Sequence, residues 1–208
     1  MVQFINPIKI IVLLTFLVGL FFLKFRNPTH QKVLGILSIC FINEFVALIL
    51  KAQGLPIDNL FNINIIIHNT LWLLIIGYFL NKPKIIILAY IFFGLVNLLF
   101  FEGFSKFNYY TFVFGALLYT TIFIYVSFKQ LKGENLSFFL SNHFVLLFAP
   151  VLFFLGLSFM FSFKSNHLTS TYIFDGIKLY TFINYFVNII YYFFINLYIY
   201  KEKKTGYV

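Results

Sequence analysis

The sequence predicts an all-α fold: a polytopic bundle of seven transmembrane helices, N-terminus outside and C-terminus cytoplasmic, with no sheet. Three observations carry that reading. Hydrophobic residues make up 62% of the 208 positions and charged residues only 10%, whereas a soluble domain keeps about a quarter of its residues charged to hold a wet surface. The apolar residues gather into seven stretches near the length of a membrane span. Basic residues sort onto alternate sides of those stretches.

The first span is 7–23. It carries Lys9 and an apolar core like a secretory leader, but Lys24-Phe25-Arg26 stands where a small-residue cleavage site would be, so it reads as a retained helix. Asn27-Pro28 precedes the second span, 33–50. Gly54-Leu55-Pro56 separates that span from the third, 62–80, and Asn81-Lys82-Pro83 separates the third from the fourth, 84–101. The fifth, 109–128, is followed by Lys132-Gly133-Glu134. The sixth, 138–163, exceeds the usual need. It is expected to begin as an interfacial segment or to cross with tilt, and Pro150 within it should kink the helix and free carbonyls for neighbours or water. The seventh, 176–200, ends in Lys201-Glu202-Lys203-Lys204, which reads as an anchor to anionic lipid. The connections are too short to separate domains and no internal repeat is visible, so 1–208 reads as a single transmembrane domain.

Orientation follows from the cations. Lys24, Arg26, Lys32, Lys82, Lys84, Lys129, Lys132, Lys201, Lys203 and Lys204 lie at one set of span ends; Lys9, Lys51, Lys106, Lys164 and Lys178 lie at the other. The richer side is cytoplasmic. The same placement accounts for the net charge of +9, and with no basic stripe or motif a nucleic-acid partner is excluded. The excess of Lys over Arg and the 33 Phe follow AT-rich codon usage. They point to a bacterial inner membrane and forbid reading Phe abundance as a site. The asparagine triplet Asn135-Leu136-Ser137 falls on the cytoplasmic side and carries no glycosylation reading.

Polar groups inside spans need an explanation, because an ionisable residue at span centre costs about 2.5–3.5 kcal/mol on insertion. Glu44 is the one acid deep within a span. His68 interrupts the third span and Asn97 the fourth. Asn184 and Asn188 are a turn apart in the seventh, and Thr181 and Tyr191 extend that face. Counted at 1.5 Å per residue, Glu44 lies about 10 Å below the outer boundary, His68 about 9 Å, Asn97 about 8 Å and Asn184 about 13 Å. Four helices therefore place polar groups in one layer of the outer half. Glu44, His68, Asn97, Asn184 and Asn188 are expected to bind a small polar or cationic ligand, with Glu102 and Asp175 at the rim and Glu44 paired with His68 or with an Asn of the seventh span. The competing reading is structural: Asn69, Asn97 and Asn196 bridging helices by hydrogen bonds of about 0.6 kcal/mol each.

Several functions are excluded. The seventh span has no mid-span Lys for a retinal Schiff base. Only His68 is deep among four His, so no zinc set forms. No cofactor or metal is expected. The favoured function is a receptor-like small-ligand-binding protein acting with a separate cytoplasmic or membrane output partner, more readily a binder than an enzyme. The alternatives are a proton- or cation-coupled transporter using Glu44 and a lipid-acting enzyme with Glu44 and His68 as an acid/base pair.

Overall fold

The computed structural model describes residues 6–162, 171–174 and 176–205. Its long elements are helices: α1 Pro7–Phe22, α2 Pro28–Ala52, α3 Asp58–Ile76, α4 Pro83–Val96, α5 Tyr109–Lys132, the short α6 Leu136–Leu140, α7 Asn142–Ser162 and α8 Leu179–Thr205. A 3-10 turn, Gly77–Phe79, extends α3, and a π turn, Asn97–Phe101, extends α4. Six of these segments are long and apolar enough to cross a membrane, and α1 is a shorter apolar helix. The chain has the architecture of a multi-pass helical membrane protein. Its outer faces agree: Phe21, Tyr78, Phe100 and Leu140 are each at least three-quarters exposed, a surface that suits acyl chains and not water.

Local chemistry sets the helix starts. Asn6 and Asn27 cap α1 and α2, the Asn27 amide oxygen accepting from the Thr29 and His30 amides at 2.9 and 3.4 Å. Pro7, Pro28 and Pro83 take first-turn positions, where their missing N–H costs nothing. Helix α2 therefore begins well before the apolar run at 33. Hydropathy marks the hydrocarbon-embedded part, and the capped, polar first turns lie outside it.

The sixth span divides: α6 and α7 are separated at Ser141, so the segment starts as a separate short helix, in keeping with the first of its two expected forms. One expectation needs correction: the fold is not purely helical. Tyr172–Phe174 and Ile177–Lys178 form a two-stranded antiparallel hairpin, its turn made by Gly176 at φ 83°, and Leu179 donates its amide to Thr171 O at 2.8 Å as the chain enters α8. Three and two residues are too few to show a strand period in sequence.

The helices close into a ring. Helix α1 packs on α2, α2 on α3, α3 on α5, α5 on α7, α7 on α8 and α8 back on α1, while α4 lies outside against α3 with lesser contact to α5. Small residues permit the close crossings. A Cβ on Gly156 would run into Val187 of α8, and one on Gly115 would run into Asn69 of α3 and Tyr90 of α4. Pro150 removes the N–H that would serve the Leu146 carbonyl, and the Tyr119 hydroxyl donates to the next carbonyl, Leu147 O, at 2.8 Å. Asn69 and Asn196 do bridge helices, Asn69 donating to Tyr90 Oη at 3.0 Å and Asn196 to Thr15 Oγ1 at 2.7 Å.

The end of the ring at the α8 C-terminus carries a polar clasp. His30 Nδ1 accepts from the Lys24 amide at 3.0 Å, which leaves the ring proton on Nε2, 3.0 Å from Glu202 Oε2. Asn142 donates to the other Glu202 oxygen at 2.5 Å and to Tyr198 O at 3.1 Å. Glu202 thus joins α2, α7 and α8. Lys203 places its ammonium 4.1 Å from the Phe22 ring centroid on α1.

Candidate functional site

At the other end, the ring encloses a cavity of about 420 Å³. Its α2 wall is Cys40, Glu44, Ala47 and Lys51, spaced at three and four residues so that all lie on one helix face. Its α8 wall is Tyr180, Asn184, Asn188 and Tyr192 at strict four-residue spacing. Helix α3 adds Phe61, Asn64, His68 and Asn69; α1 adds Lys9 and Val12; α5 and α7 add Phe112, Phe153 and Phe161. From Lys51 to Cys40 the α2 wall runs about 16 Å along the axis. Lys51 and Tyr180 are exposed, so the cavity reaches the surface at that end.

Four of the five polar residues singled out by depth, Glu44, His68, Asn184 and Asn188, line this cavity. Asn97 is not part of its lining. It sits where α4 meets the π turn, donating to Thr111 Oγ1 at 2.9 Å and to Glu102 Oε2 at 2.5 Å, and Glu102 also accepts from the Tyr110 amide at 3.1 Å. Asn97 and Glu102 therefore brace the α4–α5 connection, Glu102 outside the cavity lining. The reason is the ring: depth gives Asn97 the right height, but α4 stands outside the helices that enclose the space. Asp175 lies outside the described residues.

From sequence, Glu44 is expected to pair with His68 or with an Asn of the seventh span; among the described contacts it faces Lys9 instead, and His68 and the two asparagines each have other partners. Glu44 Oε2 faces Lys9 Nζ at 3.9 Å. His68 Nε2 and Tyr191 Oη are hydrogen-bonded at 3.1 Å, with the Trp72 indole N–H 3.3 Å from Nε2 and 3.1 Å from Tyr191 Oη. The one indole proton is shared by the two, so the three side chains form a single cluster. Trp72, Tyr191 and Phe154 are fully buried behind His68. This arrangement fixes the orientation of His68 in the wall. Asn188 donates to both the backbone oxygen and Oδ1 of Asn184, at 2.8 and 3.0 Å, so the two amides act as a unit.

Sequence reasoning missed three contributors. Lys9 and Lys51 read from sequence as span-boundary cations, yet both line the cavity. Asn62, at a span edge, is fully buried and staples the loop beneath α5, donating to Lys106 O at 2.8 Å and accepting from the Asn108 amide at 2.9 Å. Lys9 is the third residue of α1, in its first turn, so its position in the sequence is that of a boundary cation and carries no signal of the cavity. Among the described residues no cluster of three His, Cys, Asp or Glu is placed to hold a metal. No protein-family model, curated protein or solved structure matches the chain.

Proposed function

We propose that this is a seven-span protein of a cell membrane, by composition the inner membrane of a bacterium, and that it binds a small ligand entering its cavity from outside. A separate cytoplasmic or membrane protein would carry the output. In this reading α1 is the seventh span. At 16 residues it extends about 24 Å, several Å short of the usual hydrocarbon thickness, a mismatch that local thinning of the bilayer absorbs. The N-terminus is outside and the C-terminus inside, as the distribution of Lys and Arg requires. That orientation turns the cavity outward and the His30–Glu202–Asn142 clasp inward. One observation carries the proposal: polar residues from α2, α3 and α8, chosen by depth alone, line one cavity that reaches the surface. A cavity of this size with convergent polar groups is the usual form of a small-molecule site.

The test uses the single cysteine. Cys40→Ala gives a cysteine-free protein, into which Asn184→Cys places a thiol on the cavity wall. In intact cells a membrane-impermeant maleimide should label Asn184→Cys, and a cysteine at Asn142 should stay unlabelled until the cytoplasmic face is opened. Labelling of Asn184→Cys from the cytoplasmic side alone would reverse the orientation. No labelling from either side would mean that water does not enter, and the pocket reading would fall.

A further inference from the structure

We infer that the cavity takes an amphipathic organic anion, a carboxylate on an aromatic or similarly apolar body, and that a cation is disfavoured. The inference rests on the ligand-binding reading above and deepens it. Sequence depth weighed Glu44 alone and gave the pocket an excess negative charge. The structure brings Lys9 and Lys51 to the same lining, so among the described residues two cations stand against one carboxylate. Asp58 opens α3 nearby and Glu102 closes the α4 end, and neither is in the lining.

The Lys9–Glu44 pair is a loose one. At 3.9 Å it is longer than a hydrogen bond, so a ligand carboxylate can approach the Lys9 ammonium without first breaking a tight contact. Lys51 lies seven residues beyond Glu44 on the same face of α2, about 10 Å along the axis toward the surface. An incoming anion meets Lys51 first and Lys9 further in. Between walls of low polarisability, this sign preference acts more strongly than it would in open water.

The other walls define the rest of the ligand. In the ring α1 and α2 stand across from α5 and α7. Opposite the charged side, Phe112, Phe153 and Phe161 form a continuous aromatic surface, Phe112 lying 5.1 Å from Phe161 and 6.4 Å from Phe153 between centroids. Asn64, Asn184 and Asn188 place side-chain amides in the lining between these walls. A charged wall, an aromatic wall and amides between them fit a body with one anionic end and one apolar face.

The chain carries one Trp, Trp72, bonded to the cavity residue His68, so a bromine in the cavity will quench its emission. Full-length protein in phosphatidylcholine nanodiscs is titrated with 3-(4-bromophenyl)propionate, its neutral amide and 2-(4-bromophenyl)ethylamine. The carboxylate should quench saturably and bind at least about tenfold tighter than the other two. Lys51→Gln should weaken the carboxylate about tenfold, and Glu44→Gln should tighten it by removing a like charge; a cation ligand would show the opposite response to Glu44→Gln. Unchanged Trp72 emission without probe verifies that each variant is folded. Tighter or equal binding of the amine, or weaker carboxylate binding in Glu44→Gln, overturns the anion assignment and leaves the pocket standing. Absence of saturable quenching by all three probes overturns the pocket as well.

Discussion

Substituting Gly115 by Ala tests the crossing that shapes one side of the site. In a helix interior Ala is favoured over Gly by about 1 kcal/mol, so an unconstrained position would gain. At Gly115 a Cβ would land on the Asn69 amide group, 3.1 Å from its Cγ and 2.8 Å from Tyr90 Cε2, well inside the 3.5–4.0 Å of ordinary carbon contact. Neither neighbour can move aside freely. Asn69 is 1% exposed and Tyr90 is 0% exposed, and the two are hydrogen-bonded at 3.0 Å. Overpacking of this kind costs about 1–3 kcal/mol, and losing an intramembrane side-chain hydrogen bond adds about 0.6 kcal/mol. Set against the helix gain, the net destabilisation is about 0.6–2.6 kcal/mol. Gly35 on α2 is the internal control: its nearest neighbour, Leu71 Cδ1, would be 3.7 Å from a new Cβ, so Gly35→Ala should be neutral or stabilising by up to about 1 kcal/mol. Reversible unfolding in mixed micelles with increasing dodecyl sulfate, followed by Trp72 fluorescence, gives both values. If Gly115→Ala proves as stable as Gly35→Ala, the close approach of α3, α4 and α5 is wrong. Asn69 also lines the cavity, so Gly115→Ala should weaken ligand binding from behind the wall.

Removing the Tyr191 hydroxyl (Tyr191→Phe) leaves His68 Nε2 with the indole alone and should shift the Trp72 emission maximum while destabilising the protein by about 0.6–1.5 kcal/mol; an unchanged spectrum and midpoint would dissolve the Trp72–Tyr191–His68 arrangement. Glu202→Gln replaces two acceptor oxygens facing two donors, His30 and Asn142, with one acceptor and one donor, so it should cost about 1–3 kcal/mol in the same unfolding assay. Equal stability of the wild type and Glu202→Gln would show that the clasp contributes nothing measurable.

How much of this was legible in sequence depended on which coordinate was being read. Hydropathy reports height in the membrane, and the heights of Glu44, His68, Asn184 and Asn188 led to one cavity. Hydropathy is silent on the angle around the bundle. Asn97 has the same height as the others and lies on the helix that stands outside the ring, braced by Thr111 and Glu102. Helical spacing carries angular information only approximately: it groups Thr181 and Tyr191 with Asn184 and Asn188, whereas Tyr180 and Tyr192 share the cavity face with that pair and Tyr191 turns toward His68. Partner choice was the weakest reading. Depth matches Glu44 to the polar groups at its own height, whereas the cation it faces, Lys9, reads from sequence as a boundary charge. The break at Ser141 was foreshadowed by the excess length of the sixth span, but the hairpin at 172–178 was hidden because its strands are shorter than any period that could reveal them.

The closure of α8 onto α1 bears on how such a site comes into being during synthesis. Helices α1 to α7 leave the ribosome with the charged and aromatic walls already present, yet Tyr180, Asn184, Asn188 and Tyr192 are missing, and His68 lacks its Tyr191 partner until α8 arrives. Without α8 the ring is open between α7 and α1, and Glu44 and Lys9 face that gap. On the proposed ligand-binding reading, competence is acquired in a single late step, and a nascent chain halted before α8 would have no closed site to offer a ligand.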